Sequence, residues 1–312
     1  MRPARRSRAS TTWASNSTSK SSTSQSWIPA RRRGHDGSPF ERCALCGANR
    51  KTRRLANVTF DLGCAIFQPM QWTDDGLILG LRRHGETSVV LELFTRAHGR
   101  HLGLVRGGRS RRLQATLQPG NSVSVTWRAR LDDHLGAFVV EPLAGRAGRL
   151  MARADALHGV GHLGYLLRLL PERDPHQALY ETAEIVAEHL DDPAVAPALL
   201  ARLELAVLDE LGFGLDLSSC AATGETDDLV YVSPKSGRAV GRAAGAPYAA
   251  KLFPLPPFLL GYGANASPTA DDVAAAFAIT GHFLDARVWE PRGIKPPESR
   301  AAYLALLGRA AA

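Results

Sequence analysis

The 312-residue chain has only four cysteines and no apolar run long enough to cross a membrane. Cys43 and Cys46 have the C-x-x-C spacing of half a zinc site, but Cys64 and Cys220 stand alone, so a full site would need ligands from distant segments. A secretory leader is also missing. The sequence therefore predicts no bound metal, no disulfide framework, no membrane anchor and a cytoplasmic location.

Signatures of common catalytic sites are missing as well. There is no G-x-x-x-x-G-K-[ST] phosphate loop, no H-E-x-x-H zinc motif and no G-x-S-x-G nucleophile elbow. One G-x-G-x-x-G match runs from Gly159 to Gly164, but helical residues precede it, whereas a dinucleotide fingerprint follows a strand. We expect these glycines to allow close packing, and we expect neither an enzyme nor a cofactor.

An enzymatic alternative would depend on a Gly-rich stretch near the middle of the C-terminal half. Asp227, Asp228 and Lys235 could meet there. Carboxylates beside Gly and Ser usually form turns, which makes this alternative weak.

Charge is divided unevenly along the chain. Residues 1–69 carry 13 basic and 3 acidic side chains, and residues 70–150 carry 12 arginines and 7 acids, a net charge of +5. Residues 151–312 carry 13 basic and 20 acidic side chains, a net charge of −7. A basic segment followed by an acidic one indicates that the two meet different partners.

Residues 1–69 have the composition of an unfolded, basic leader. Ser and Thr dominate residues 7–26, and an arginine run follows at residues 31–33. Three interpretations remain open: a misassigned start, a disordered tail that holds nucleic acid, or an organellar targeting peptide. The first is favoured because Met70 stands immediately before the first convincing strand.

Five strand patterns follow Met70, and they fit a small antiparallel barrel of the oligonucleotide-binding (OB) type. They lie at residues 76–85, 87–96, 101–107, 121–130 and 135–143. Trp72, Phe94, Trp127 and Phe138 are the aromatic residues available for base stacking, although in a small barrel each is more often core. Strict alternation turns Trp127 inward.

Helical periodicity begins near residue 150. Its segments are residues 150–172, 176–190, 196–213, 271–288 and 297–310. The fold class is therefore α+β: an OB barrel in residues 70–149, then a helical domain in residues 150–312. A small irregular or β excursion without metal is expected at about residues 217–249.

The stretch Val105 to Leu113, VRGGRSRRL, concentrates arginine between two of the barrel strands. Guanidinium groups bind phosphate with paired hydrogen bonds and stack on bases, so the cluster suits sequence-tolerant DNA binding. The other interpretation is a solvated connection. The predicted DNA-binding residues are Arg82, Arg83, Arg106, Arg109, Arg111, Arg112, Arg128 and Arg130.

From Met70 to about Arg309 the chain resembles the RecO family of bacterial recombination mediators, over about 240 residues. The similar stretches are GLILGLRRHGETSVVLELFTRAHGRHLGLVRGGRSRR with LQPGNSV, then LLARLELAVLDELGFGLDLSSCAATG, LVYVSPKSGRAV, LPPFLL and TGHFLDARV. Each is short, but their order and spacing are specific.

The resemblance implies a non-enzymatic role in homologous recombination and DNA repair. Such proteins bind single- and double-stranded DNA, anneal complementary strands, associate with RecR and help RecA replace the single-strand binding protein SSB, at the bacterial nucleoid. By position, Arg106, Arg109, Arg111 and Arg112 fall on the family's basic barrel loop, and Arg82 and Arg83 fall on its first hairpin. The helical domain would hold the acidic, apolar tail of SSB, for which Arg202 is the candidate cation.

The chain departs from the family in its cysteines. Many relatives hold zinc through four cysteines after the ELGF helix, whereas here only Cys220 remains, so this region should fold without metal. A protein-protein adaptor that binds no DNA is the alternative function.

Overall fold

The computed structural model describes residues 70–260 and 267–311. The leader, with Cys43, Cys46 and Cys64, lies outside the described residues. No helix within the described part is long and apolar enough to cross a membrane.

Five strands form a closed barrel in the order β1-β2-β3-β5-β4. They are β1 (Met70–His84), β2 (Ser88–Thr95), β3 (Gly99–Val105), β4 (Ser122–Ala129) and β5 (Ala137–Ala144). Neighbours pair antiparallel except β3 and β5, which pair in parallel through the single position Leu104–Ala137. The barrel therefore closes through one short seam.

Alternating burial explains the strands. Along β3 buried and half-buried residues alternate, and along β4 Val123, Val125 and Trp127 are fully buried. Gly103 leaves room for the Phe138 ring, because a Cβ at residue 103 would lie 2.5 Å from a ring carbon.

Helices follow the barrel, with a small three-stranded sheet among them. The helices are α1 (Arg111–Gln114), between β3 and β4, and then α2 (Ala147–Met151), α3 (Ala154–Leu167), α4 (Gln177–His189), α5 (Ala196–Glu210), α6 (Arg242–Gly245), α7 (Ala270–Leu284), α8 (Glu290–Arg292) and α9 (Glu298–Ala311). The sheet has the order β7-β6-β8, with β6 (Leu229–Val232), β7 (Ala239–Gly241) and β8 (Phe253–Pro254). The predicted α+β class, with an OB-type barrel followed by helices and a β excursion, is confirmed.

Barrel and helices share one hydrophobic core. Leu77, Leu79 and Phe94 of the barrel pack in the same cluster as the helices, while a second cluster fills the barrel around Trp127. The division into two domains at residue 149 stays a prediction.

The glycines of the G-x-G-x-x-G match pack as expected within α3. A Cβ at Gly159 would lie 2.9 Å from Leu190, one at Gly161 would lie 3.4 Å from Ser299, and one at Gly164 would lie 3.4 Å from the Leu79 carbonyl oxygen. These glycines let α3 approach other helices and the barrel, which explains the motif without a nucleotide.

Candidate nucleic-acid interface

The arginine-rich stretch after β3 is folded against the end of the barrel. Gly107 has a left-handed φ of 66°, and Gly108 is buried against Val89, where a Cβ would lie 2.5 Å from a methyl carbon. Helix α1 follows, and Leu117 beyond it is buried in the barrel core. Both ends of the stretch are therefore anchored in the barrel.

A surface groove of about 800 Å³ lies where β3 and β5 diverge beyond their single pairing. We call it the arginine groove. Arg106 and Arg112 line it from the β3–α1 segment, and Arg128 and Arg130 line it from the end of β4. Apolar side chains complete its lining: Val105, Leu113, Ala129, Ala137, Phe138, Val139 and Val140.

Positive charge in the arginine groove is not offset by any lining carboxylate among the described residues. Arg106, Arg112 and Arg128 are exposed, and their side chains make no hydrogen bond or ion pair with another described residue. Guanidinium groups stay protonated at all physiological pH values. The groove thus brings together four of the eight predicted DNA-binding residues, which come from two separate segments of the chain.

Arg109 has a different environment from its neighbours in the stretch. Its Nη1 donates hydrogen bonds to the backbone carbonyls of Gly85, at 3.2 Å, and Glu86, at 2.5 Å. Its backbone N–H donates to the Thr87 carbonyl at 3.0 Å. Arg109 therefore holds the β1–β2 turn against the arginine stretch through Nη1, and its place in DNA binding stays a prediction.

The remaining predicted residues lie outside the groove. Arg82 and Arg83 are exposed near the end of β1, and Arg111 is exposed at the start of α1. Their place in DNA binding stays a prediction.

Two further barrel arginines, Arg96 and Arg100, have carboxylate partners. Arg96 pairs with Glu181 at 3.5 Å, and half-buried Arg100 pairs with Glu92 at 3.1 Å and Glu172 at 3.2 Å. Nearby carboxylates therefore offset both charges.

Barrel aromatics belong mainly to the core. Phe94, Trp127 and Phe138 are at most 4% exposed, and the Trp127 indole N–H donates to the Leu135 carbonyl at 3.0 Å. Trp72 is half-buried and already stacks on His98, with ring centres 4.0 Å apart. Trp127 is structural, as its strand alternation predicts.

Comparison with known proteins identifies the family. Models of the Recombination protein O N terminal and C terminal match residues 70–145 and 160–294. The DNA repair protein RecO of Methylobacterium nodulans is 62% identical over 240 residues, which cover 76% of this chain and 98% of the relative. That of Brucella abortus strain 2308 is 58% identical over 241 residues, covering 77% of this chain and 97% of the relative.

The chain belongs to the RecO family. Its role therefore lies in DNA repair and recombination. A relative from Methylorubrum extorquens has the same name, with 63% identity over 241 residues that cover 76% of this chain and 98% of the relative.

In this RecO-family chain a buried polar cluster joins four helices of the C-terminal part. Glu204 of α5 is fully buried and accepts hydrogen bonds from His162 Nε2 at 2.6 Å, Arg300 Nε at 2.7 Å and the Thr280 hydroxyl. Burial acts to raise the pKa of the Glu204 carboxyl, but the hydrogen bonds and charges of His162 and Arg300 lower it to about 2. Glu204 is therefore a charged residue whose acceptor oxygens are satisfied inside the core.

Arg300 also lines a second groove of about 850 Å³ between α7 and α9, which we call the α7–α9 groove. Its apolar lining includes Val273, Phe277, Leu304 and Leu307. The predicted cation Arg202 does not line this groove. Instead its guanidinium donates to the Phe258 carbonyl at 3.2 Å and 2.5 Å, so its predicted role with a partner stays untested.

Sequence reasoning missed Arg300 as a groove residue. The signal that could have found it is the glycine of TGHFLDARV: a Cβ at Gly281 would lie 2.9 Å from the Arg300 guanidinium. A helical glycine that is not at a helix end often marks such a close approach.

Cys220 is buried and accepts a hydrogen bond from the Gly241 N–H at 3.2 Å. This backbone N–H, with others in the turn, lowers the pKa of the Cys220 thiol to about 7. The described residues contain no group of three or more His, Cys, Asp or Glu side chains that could hold a metal ion.

Proposed function

We propose that this RecO-family chain is a non-catalytic recombination mediator whose arginine groove binds the phosphate backbone of DNA. The observation that carries the proposal is the convergence of Arg106, Arg112, Arg128 and Arg130 on one groove without a lining carboxylate. Arginines that bind phosphate through paired hydrogen bonds need this access to solvent. Binding is sequence-tolerant, because backbone contacts do not read bases.

Both single- and double-stranded DNA are substrates in this proposal, and annealing follows from the same surface. Two complementary strands repel each other through their phosphates, and residues 70–150 carry a net charge of +5 that offsets part of this repulsion. Strands held on a positive surface approach at a higher local concentration, which favours pairing.

The test is binding of the full chain to a labelled single strand over a series of salt concentrations. Changing Arg106, Arg112 and Arg128 together to alanine should weaken binding and reduce the slope of log K against log salt by about 2, since each phosphate contact on a single strand contributes about 0.7. A matched control changes three exposed arginines of the helical part, namely Arg242, Arg287 and Arg309. It removes the same charge from elsewhere and should leave the slope nearly unchanged.

Equal effects of the two triple variants would show that only net charge matters and would overturn the groove as the binding site. If the parent chain bound no DNA, the adaptor alternative would replace the proposal. The annealing of complementary strands can be monitored by the loss of a single-strand signal. The annealing rate should be lower for the groove variant than for the parent, and it should be unchanged for the control.

We further propose that the chain acts with RecR to help RecA replace SSB at the nucleoid, and that the α7–α9 groove holds the acidic, apolar tail of SSB. Family membership supports the pathway, and the apolar walls of the groove support the site, whose lining also includes Asp271 and an Arg300 guanidinium paired with Glu204. A labelled peptide of the SSB tail should bind the parent and lose affinity in Leu304→Asp. Unchanged affinity in Leu304→Asp but loss in Arg202→Ala would move the site to Arg202.

A further inference from the structure

The arginine groove has an apolar floor that phosphate binding does not require. Val139 lies in this lining with 56% of its surface exposed, and Leu113 and Val140 belong to the same lining. Exposed valine in contact with water costs free energy that a polar residue would avoid. The floor therefore points to a ligand with an apolar face as well as negative charge.

Nucleobases have this combination when they are attached to their phosphates. The groove volume of about 800 Å³ lies within the range of pockets that hold small organic molecules, roughly 300–1,000 Å³. A phosphate group alone would leave most of this space unfilled. Bases have flat faces that pack on aliphatic side chains and on guanidinium planes.

Closure of the barrel explains why the floor is accessible. The seam between β3 and β5 has one pairing, Leu104–Ala137, and beyond it the two strands separate. Residues that follow this pairing on each strand, Val105 and Arg106 on one side and Phe138 to Val140 on the other, line the groove. The groove thus lies at the short seam of the closed barrel, where Phe138 and Val140 face the barrel core and Val139 between them exposes its side chain.

Only unpaired bases can enter such a groove. Bases of a duplex are stacked and paired within the helix, so a duplex offers its phosphates to the arginines and nothing to the floor. Phe94, Trp127 and Phe138, which could stack on bases in another barrel, are buried here. We propose that the apolar floor binds unpaired bases of single-stranded DNA while the surrounding arginines hold the flanking phosphates, an inference that rests on the proposed function of the groove.

The test compares two labelled strands with the same number of phosphates, an oligothymidylate and an abasic strand of equal length, both with the full chain. The parent should prefer the oligothymidylate by at least about fivefold, because one base in contact with a protein surface contributes on this scale. Val139→Ser should remove most of this preference while the affinity for the abasic strand stays unchanged. The salt slope should also stay unchanged, because no phosphate contact is lost.

Ile185→Ser is the matched control, because Ile185 is a similarly exposed aliphatic residue, 53% exposed, on α4. It should leave both affinities unchanged. Leu113→Ser gives a second, independent change of the floor, and unfolding temperature shows that each variant is folded.

Equal binding of the two strands by the parent would overturn the inference and leave phosphate binding intact. Failure to bind either strand would overturn the proposed function itself, so the two failures are distinguishable. An equal loss for both strands in Val139→Ser and Leu113→Ser would show that these residues only shape the groove, which also overturns the inference. If the parent bound the two strands equally and an acidic, apolar peptide displaced both of them, the floor would be assigned to a protein partner and the inference would be overturned.

Discussion

Arg146 and Glu184 form an ion pair of 2.8 Å that joins the chain just after the last barrel strand to helix α4. Arg146 is 6% exposed, and its guanidinium also donates to Glu188 at 2.6 Å and to the Ser122 hydroxyl at 2.6 Å. Burial acts to lower the pKa of the Arg146 guanidinium, but its hydrogen bonds and charges with Glu188 and Glu184 raise it. One side chain therefore connects barrel and helices through a satisfied polar network.

Arg146→Ala should destabilise the protein by about 3–5 kcal/mol, because removal of one partner leaves the others with unpaired polar groups near the core. Urea unfolding of the full chain measures the loss. Arg149→Ala is the control, since Arg149 binds Glu188 and Asp191 at a more exposed position, and its loss should cost at most about 1 kcal/mol. Equal losses in the two variants would contradict a special role for Arg146.

Stability should fall in acid through Glu204. Its folded pKa of about 2 lies below the ordinary value of 4.5, so its charged form contributes stability that is present above about pH 4.5 and is lost as pH falls towards 2. The shift corresponds to roughly 3 kcal/mol. Unfolding in urea at pH 6 and pH 3 should show the loss.

Glu204→Gln provides the check on this pH dependence. The variant keeps the shape but leaves Arg300 without its carboxylate, while His162 and Thr280 remain as the other facing groups. It should be less stable than the parent at pH 6, and the gap should narrow at pH 3. A gap of the same size at both pH values would show that Glu204 does not titrate in this range.

The β4–β5 loop should become more mobile when Arg173 is changed. Arg173 lies between α3 and α4 and donates hydrogen bonds to the carbonyls of Asp132 and His134 in that loop, the latter at 3.0 Å. Its φ of 63° is strained for a non-glycine residue. Hydrogen exchange in residues 131–135 should quicken in both Arg173→Ala and Arg173→Gly.

Both Arg173 variants lose the guanidinium, so they differ only in the backbone strain at residue 173. Gly adopts a positive φ without a Cβ penalty, so Arg173→Gly should be more stable than Arg173→Ala by up to about 1 kcal/mol. Exchange that stays slow in both variants would show that the loop is held by its own contacts.

Gly103→Ala should destabilise the barrel by about 1–3 kcal/mol, because the new Cβ would lie 2.5 Å from the buried Phe138 ring. The midpoint temperature of thermal unfolding should fall by several degrees. Gly145→Ala is the control, since a Cβ there meets nothing within 4 Å. If both variants unfolded at the same temperature as the parent, the Phe138 ring would be able to accommodate a Cβ at residue 103, which would contradict the prediction.

The sequence alone determined the elements of this fold to a large extent. Alternation in β4 placed Val123, Val125 and Trp127 inside the barrel, and this is where they lie. Helical spacing located α3, α4, α5, α7 and α9 to within a few residues at most ends. Hydrophobic periodicity is a local property. The spacing of apolar residues within one helix or strand shows which of its faces is buried, and no contact with a distant segment is needed to recognise it.

The short helix α1 could not be predicted in the same way. Four residues are too few for a period, and its position depends on Gly108 fitting against Val89 of another strand. The order and spacing of the family-like stretches, by contrast, were enough to indicate the family, which the comparisons confirm.

Tertiary structure alone decided which arginines share a site. Arg109 and Arg112 stand three residues apart with the same side chain, yet Arg109 is bonded to the β1–β2 turn while Arg112 faces the groove with Arg128. Both residues carry the same charge, so composition cannot distinguish them. Their roles differ because the fold places backbone carbonyls beside Arg109 and leaves Arg112 at the groove. The groove and its apolar floor exist because β3 and β5 separate after one pairing, a relation between residues more than thirty positions apart.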